Sequence, residues 1–210
     1  FDHLRRQVTG GKRDVRAFCY LRHEVPDYMT RMLAVAQTAG PDVPLLLMDT
    51  AEASVIGAMD DPHVAAQHCK VVANLGNEHT LAFHLHGSTI QGLFEHHTHT
   101  LGAGKLESYL RRLTRGGLED EEVWMGQGHG AIILEAGEEI GFLSVTGPLR
   151  GMLEASPLNP YFATPHGDMM LAGCFGLVRA LAERCEPWRE EILRALRASD
   201  GAMWDLGHHN

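Results

Sequence analysis

The chain has 210 residues, a formal net charge of -9, 44% hydrophobic residues and 21% charged residues. That length can bury a real core as one large domain or two small lobes. The acidic balance argues against nucleic acid or an anionic membrane as the main partner; no apolar run approaches the roughly 18 residues of a membrane span, and no signal peptide is visible.

The cysteines, Cys19, Cys69, Cys174 and Cys185, form no CxxC pair. Neither a zinc ribbon nor an iron–sulfur site is suggested, and they read as buried thiols of a cytoplasmic protein. The first residue is Phe1 rather than Met, which suggests an excerpt or a processed start.

Residues 1–14 are polar, carry Gly10-Gly11 and read as an irregular start. Weak alternation over 15–21 predicts a strand. Asp27 is placed to cap a helix over 28–38, with Met29, Met32, Leu33 and Ala36 on one stripe. Residues 43–48 predict a buried strand. Asp49 and Thr50 cap a helix over 51–59, whose Ala51, Ala53, Ser54, Gly57 and Ala58 permit close packing. Residues 60–67 read as a turn or linker.

Residues 71–100 are the organising stretch. An apolar run at 71–73 leads into the polar turn from Asn74 to Thr80. Strands over 81–86 and 89–94 follow, joined at Gly87-Ser88, and a histidine-rich loop closes the stretch. A helix over 104–115 presents Leu106, Tyr109, Leu110 and Leu113 on one face. A short acidic turn, a glycine loop over 125–130 and a brief strand or helix start at 131–134 come next. A buried strand over 140–145 ends in Thr146-Gly147-Pro148. After a helical turn and an irregular stretch over 157–167, Asp168 caps a helix over 169–185, with Met169 and Met170 as core. Further helices are expected around 186–198 and in the tail, where His208-His209 is too short for a tag. Strands alternating with helices define an α/β protein.

Gly76 lets backbone amides approach an anion, and Thr80 adds a hydroxyl; an ordinary hairpin turn is the alternative. Glu95, His97 and His99 would share one face if their strand continues. A carboxylate and two imidazoles suit Zn, Fe or Mn, and His129 and His166 could converge on the same mouth. Loop histidines bonded to backbone are the alternative reading. Imidazoles can also move protons, and His79, His97 and His166 are the candidates. Thr146-Gly147 suits a ligand at the carboxyl edge of a sheet or an ordinary connection. Asp49 and Glu52 are a cap and a solvated acid, or carboxylates near the site.

The order of these pieces resembles the actin-like ATPase superfamily: actin, the large heat-shock chaperones, and sugar and acetate kinases. There a helix and a strand lead to a small-residue crossing helix, here 30–37, 45–48 and 49–58. A hairpin of the form Asp-x-Gly-x-x-x-Thr follows, here Asn74 to Thr80. A strand ending in a glycine turn approaches the adenosine, here 142–148. A last small-residue helix crosses back, here 169–182 with Ala172-Gly173-Cys174-Phe175-Gly176. The resemblance implies a ribonuclease-H-like lobe, a mixed sheet flanked by helices. Residues 1–60 would end a first lobe with its crossing helix, and 61–210 would form the second. It further implies ATP or ADP with Mg, with Gly76, Asn77 and Thr80 at phosphate, Asn74 near the metal, and Thr146 and Gly147 near the nucleoside. Asn74 stands where Asp is usual, and a neutral amide attracts a cation less. The first phosphate hairpin has no room ahead of the crossing helix.

The phrases GLFEHHT, GHGA and ATPHGDMM resemble more closely a prokaryotic family of this type labelled pyruvate-formate-lyase activating enzymes. That label implies radical chemistry on an iron–sulfur cluster, and the chain lacks the CxxxCxxC to hold one. The expected function is binding of a small-molecule phosphate or nucleotide, with neither nucleic acid nor membrane as partner. A transition-metal-dependent hydrolase using Glu95, His97, His99 and His129, and a non-catalytic homo-oligomeric assembly module, are the alternatives.

Overall fold

A computed structural model describes residues 1–199; the helix expected in the tail and His208-His209 lie outside them. The chain forms a mixed α/β structure. Its organising stretch is an antiparallel meander of three strands, β3 (Cys69–Leu75), β4 (His79–His86) and β5 (Thr89–His97). Strand β6 (Gly128–Ile133) adds antiparallel to β5. On the other side β7 (Leu143–Thr146) adds parallel to β3, and β8 (Tyr161–Phe162) adds parallel to β7. The six strands stand in the order β6-β5-β4-β3-β7-β8.

Both faces of this sheet are buried, so its strands are continuous apolar runs rather than alternating ones. On one face Val71, Ala73 and Phe94 meet Leu106, Leu110 and Leu113 of helix α5 (Ala103–Arg115). On the other, Val72, Leu81, Phe83 and Leu93 meet Leu4 and Val8 of helix α1 (Asp2–Thr9) and Val55 and Ala58 of helix α3 (Thr50–Ala58). Residues 1–14, expected to be irregular, therefore begin with a helix. Leu4 and Val8, four apart, supply one apolar stripe on an otherwise polar segment, and the sheet beneath covers it.

A separate small core holds Tyr20, Val25, Ala36 and Leu47. It joins helix α2 (Thr30–Thr38) to a two-stranded antiparallel sheet, β1 (Cys19–Leu21) and β2 (Leu46–Met48). Helix α2 starts after Met29, and Asp27 does not cap it. Asp49 occupies the N-cap of α3 without a side-chain bond. The expected linker over 60–67 contains a short helix, α4 (Pro62–Ala65), with Pro in its first turn and the Asp61 carboxylate accepting from the His63 amide at 2.9 Å.

Helix α6 (Asp120–Met125) precedes β6, and helices α7 (Ala172–Arg184) and α8 (Glu186–Ser199) close the described chain. Asp168 caps a 3-10 turn over Met169–Leu171, accepting from the Met170 amide at 2.8 Å, and α7 itself starts after that turn with Leu171 at its N-cap and no side-chain cap. Met169 is core, whereas Met170 is exposed. Cys19 is buried, but Cys69 and Cys174 are exposed, against the expectation of buried thiols. Helices α3 and α7 cross with their backbones in contact: a Cβ on Gly57 would lie 1.8 Å from the Ala172 carbonyl oxygen, and one on Gly176 1.8 Å from that of Ala53. Among the described residues no helix is long and apolar enough to cross a membrane.

Candidate functional site

A cavity of about 790 Å³ opens where the β3–β4 turn, the start of α3 and the β1–β2–α2 unit meet. Its volume is that of a pocket for a small organic ligand. Asn74, Gly76, Asn77, Glu78 and His79 line it from the hairpin, and Asp49, Thr50 and Glu52 from the head of α3. Tyr20, Arg31 and Met32 face them, while Glu95 and His129 complete the wall from β5 and β6.

The walls are strongly acidic. Burial, with Asp49 and then Glu95 nearby, pushes the Glu52 carboxyl up to about 8. Its side chain is half-buried and borders the cavity. Burial also raises Glu95, opposed in part by His79 and reinforced by Asp49. Burial and neighbouring negative charge thus favour the protonated forms of Glu52 and Glu95.

The hairpin residues divide by position. Asn74, Gly76 and Asn77 line the cavity; Thr80, Thr146 and Gly147 do not. The Gly76 amide donates to the His79 carbonyl at 3.0 Å and closes the turn. The Asn74 side-chain amide donates to the Thr146 hydroxyl at 3.1 Å, tying β3 to β7. The Thr80 hydroxyl is fully buried and pairs with that of Thr98 at 3.0 Å. Gly147 has φ of 100°, and a Cβ there would sit 2.4 Å from the Leu75 carbonyl oxygen, so only glycine brings this turn against the end of β3. The Gly147 amide points to the Met169 sulfur.

The histidines regroup. His79, His97 and His129 each offer a ring nitrogen, and these nitrogens lie within 4.8 Å of one another. The ring centroids are 4.8 Å apart for His79 and His97, 5.0 Å for His79 and His129, and 4.6 Å for His97 and His129. Strand geometry explains the grouping. Around Gly87-Ser88 the pairs are His86 with Thr89 and Leu85 with Ile90; a register shift then places His84 opposite Gly92. Continued without that bulge, His79 would face His96. The bulge moves His97 opposite it instead.

A second irregularity, between Glu95 and His96, lies opposite Gly128-His129-Gly130 and brings His129 to the pair. Neither flanking glycine has room for a side chain: a Cβ on Gly128 would be 2.6 Å from His96, and one on Gly130, at φ 131°, 2.3 Å from Asp120 Oδ1. Asp120 holds this segment by accepting from the Ala131 amide at 2.9 Å and pairing with Arg5 at 2.6 Å. Burial and the neighbouring His97 and His79 lower His129 to about 4, so its imidazole is neutral at physiological pH. Its buried Nε2 has no hydrogen-bond partner among the described residues.

The expected grouping of Glu95, His97, His99 and His129 is thus only partly assembled. Strand β5 ends at His97, and His99 falls in a 3-10 turn, because the chain bends there to cover Thr80 with Thr98. The expected glycine loop over 125–130 is in its second half strand β6. His166 does not reach this mouth; it is buried beside Asp60 at 3.3 Å, with its ring on Phe175. The sequence offers Asp49 and Glu52 as a cap and a solvated acid or as carboxylates near the site, and the structure places both on the cavity wall; the pairing of His79 with His97 is not visible in the sequence. The readable signal was the glycine on each side of His129, which marks a position where a strand must distort.

Residues 1–152 match the family described as "Putative pyruvate format-lyase activating enzyme (DUF1786)". No curated protein and no solved structure matches the chain. The four cysteines lie at Cys19 on β1, Cys69 at the start of β3, Cys174 on α7 and Cys185 after it. No three of them come together among the described residues, so the thiolates do not fit an iron–sulfur cluster of the kind the description evokes. With nearly three quarters of its length matched, phrases such as GLFEHHT and GHGA included, the chain belongs to the DUF1786 family.

Proposed function

We propose that the chain binds a nucleotide or another small phosphate, together with Mg2+, in the acidic cavity. The observation that carries this reading is that the glycine turn at 74–78 and the head of α3 open onto one cavity of ligand size. The sheet supports an actin-like, ribonuclease-H-like lobe: an antiparallel meander extended by parallel strands on the side of its first strand. The crossing of α3 and α7 through Gly57 and Gly176 supports it further. In this reading residues 1–60 end a first lobe and 61–210 form the second.

The charges decide the form of the ligand. Asp49, Glu52, Glu78 and Glu95 line the cavity, with Arg31 the one lining arginine or lysine among the described residues. A bare polyphosphate would be repelled there. Hard oxygen donors suit Mg2+, which in turn attracts phosphate. Asp49, Glu52 and Glu95 would attract a hydrated ion into the cavity, contacting it through its waters, and the Asn74 side chain lines the same space. Gly76 and Asn77 shape the turn that meets the phosphate, while Thr80, Thr146 and Gly147 brace it from behind. Bound Mg2+ would supply charge neutralisation; the chain's own residues orient the ligand.

Thermal unfolding with ATP, ADP or inorganic phosphate, each with Mg2+ or with EDTA, tests the reading. A ligand at 100 times its Kd should stabilise the fold by about 2.7 kcal/mol. The expected result is a saturable rise in melting temperature with Mg2+ and none with EDTA. No shift with any of these ligands overturns the proposal.

A further inference from the structure

We infer that His79, His97 and His129 form a binding site for one borderline-soft divalent ion, with Zn2+ the best fit. The inference is independent of the phosphate reading, which rests on oxygen donors and Mg2+.

Three imidazoles suit Zn2+ with a fourth position left for an exogenous ligand. Their nitrogens already lie within 4.8 Å of one another. Binding one ion at the roughly 2.0–2.1 Å Zn–N distance would draw the three nitrogens closer together. Two features of the backbone build the grouping. The bulge in the β4–β5 hairpin sets His79 opposite His97, and the irregularity opposite Gly128-His129-Gly130 delivers the third ring. Plain hairpin packing needs neither irregularity.

The buried Nε2 of His129 is the independent sign of a missing partner. It has no hydrogen bond among the described residues, although a buried ring nitrogen costs free energy when unpaired. A metal ion at the centre of the three rings satisfies it. His96, next to His97 on β5, has a backbone partner in the His97 carbonyl at 2.9 Å.

His79 and His129 both border the cavity, and so does Glu95. The fourth coordination position therefore faces the cavity. The ligand class it would take is an oxygen donor: a water, or a phosphate or carboxylate oxygen of whatever occupies that space.

The test uses the full chain, stripped with EDTA and titrated with Zn2+ by calorimetry. The expected result is about one tight equivalent per chain. Replacing Zn2+ with Co2+ should give the intense visible absorption of a four-coordinate site. His79→Gln, His97→Gln and His129→Gln should each weaken Zn2+ binding by more than about 100-fold, beyond the loss typical of supporting residues. His99→Gln and the double variant His208→Gln/His209→Gln should leave it intact, and excess Mg2+ without phosphate should not displace it.

Undiminished binding in His97→Gln or His129→Gln overturns the site, as does the weak absorption of six-coordinate Co2+. Should a variant fail to fold, diethylpyrocarbonate labelling of the unmutated chain decides. Zn2+ should protect His79, His97 and His129 and leave His99 reactive; protection confined to other histidines overturns the inference.

Discussion

Glu52 illustrates how one residue's environment sets its chemistry. Its sequence position, in the first turn of a helix, suits a solvated acid. Folding instead walls it in with Asp49 and within range of Glu95, and its pKa rises to about 8. The unfolded chain ionises this carboxyl near its ordinary value of about 4.3. Between these two values the native state holds the extra proton. Stability is therefore expected to fall as pH rises through that window, and to level off above it. Melting temperatures across about pH 5 to 8 should fall more steeply for the unmutated chain than for Glu52→Gln. Mg2+ should flatten the slope if the carboxylates share the ion. Parallel curves for the two chains would contradict the assignment of Glu52.

At the scale of elements, two glycine-dependent contacts control the architecture. Helices α3 and α7 meet so closely that a methyl at Gly57 or Gly176 would overlap a backbone carbonyl oxygen. Gly57→Ala or Gly176→Ala should destabilise the chain by about 1–3 kcal/mol, as overpacking does, read from the denaturant midpoint. An unchanged midpoint would mean that the helices are not in contact. The other contact is the β6 irregularity. Gly130→Ala places a side chain at φ 131° against Asp120. It should lower Zn2+ affinity at least about 10-fold while circular dichroism shows the sheet retained. The small residues of α3 were legible as a crossing surface because size is a property of the residue. The small residues of α7 stood out through the superfamily resemblance, but the contact of Gly57 with Ala172 and of Gly176 with Ala53, more than one hundred positions apart, is set by the tertiary structure.

Across the whole molecule, stability is unevenly distributed. The central sheet is covered on both faces, whereas the β1–β2–α2 unit rests on four buried side chains, Tyr20, Val25, Ala36 and Leu47. Hydrogen exchange should be slowest in β3, β4 and β5 and fastest, among the strands, in β1 and β2. Because β1, β2 and α2 form one wall of the cavity, a ligand bound there should slow exchange in that unit more than in the sheet. Equal protection throughout would place the ligand elsewhere.

The sequence by itself determined the α/β class, most of the helices and strands from 69 onward, the presence of a tight turn between β3 and β4 (though 74–75 and 79–80 belong to the strands) and the absence of a cysteine cluster motif. These follow from local periodicity, glycine turns and residue type. The start of the chain was misread because a single two-residue stripe, Leu4 and Val8, carries little periodic signal until a sheet lies beneath it. Only the tertiary structure decided which carboxylates face one another and which histidines meet. A one-residue bulge exchanges His96 for His97 opposite His79, and a distorted edge strand brings in His129 from more than thirty positions away. Strand register depends on both strands at once, so no reading of one segment could supply it.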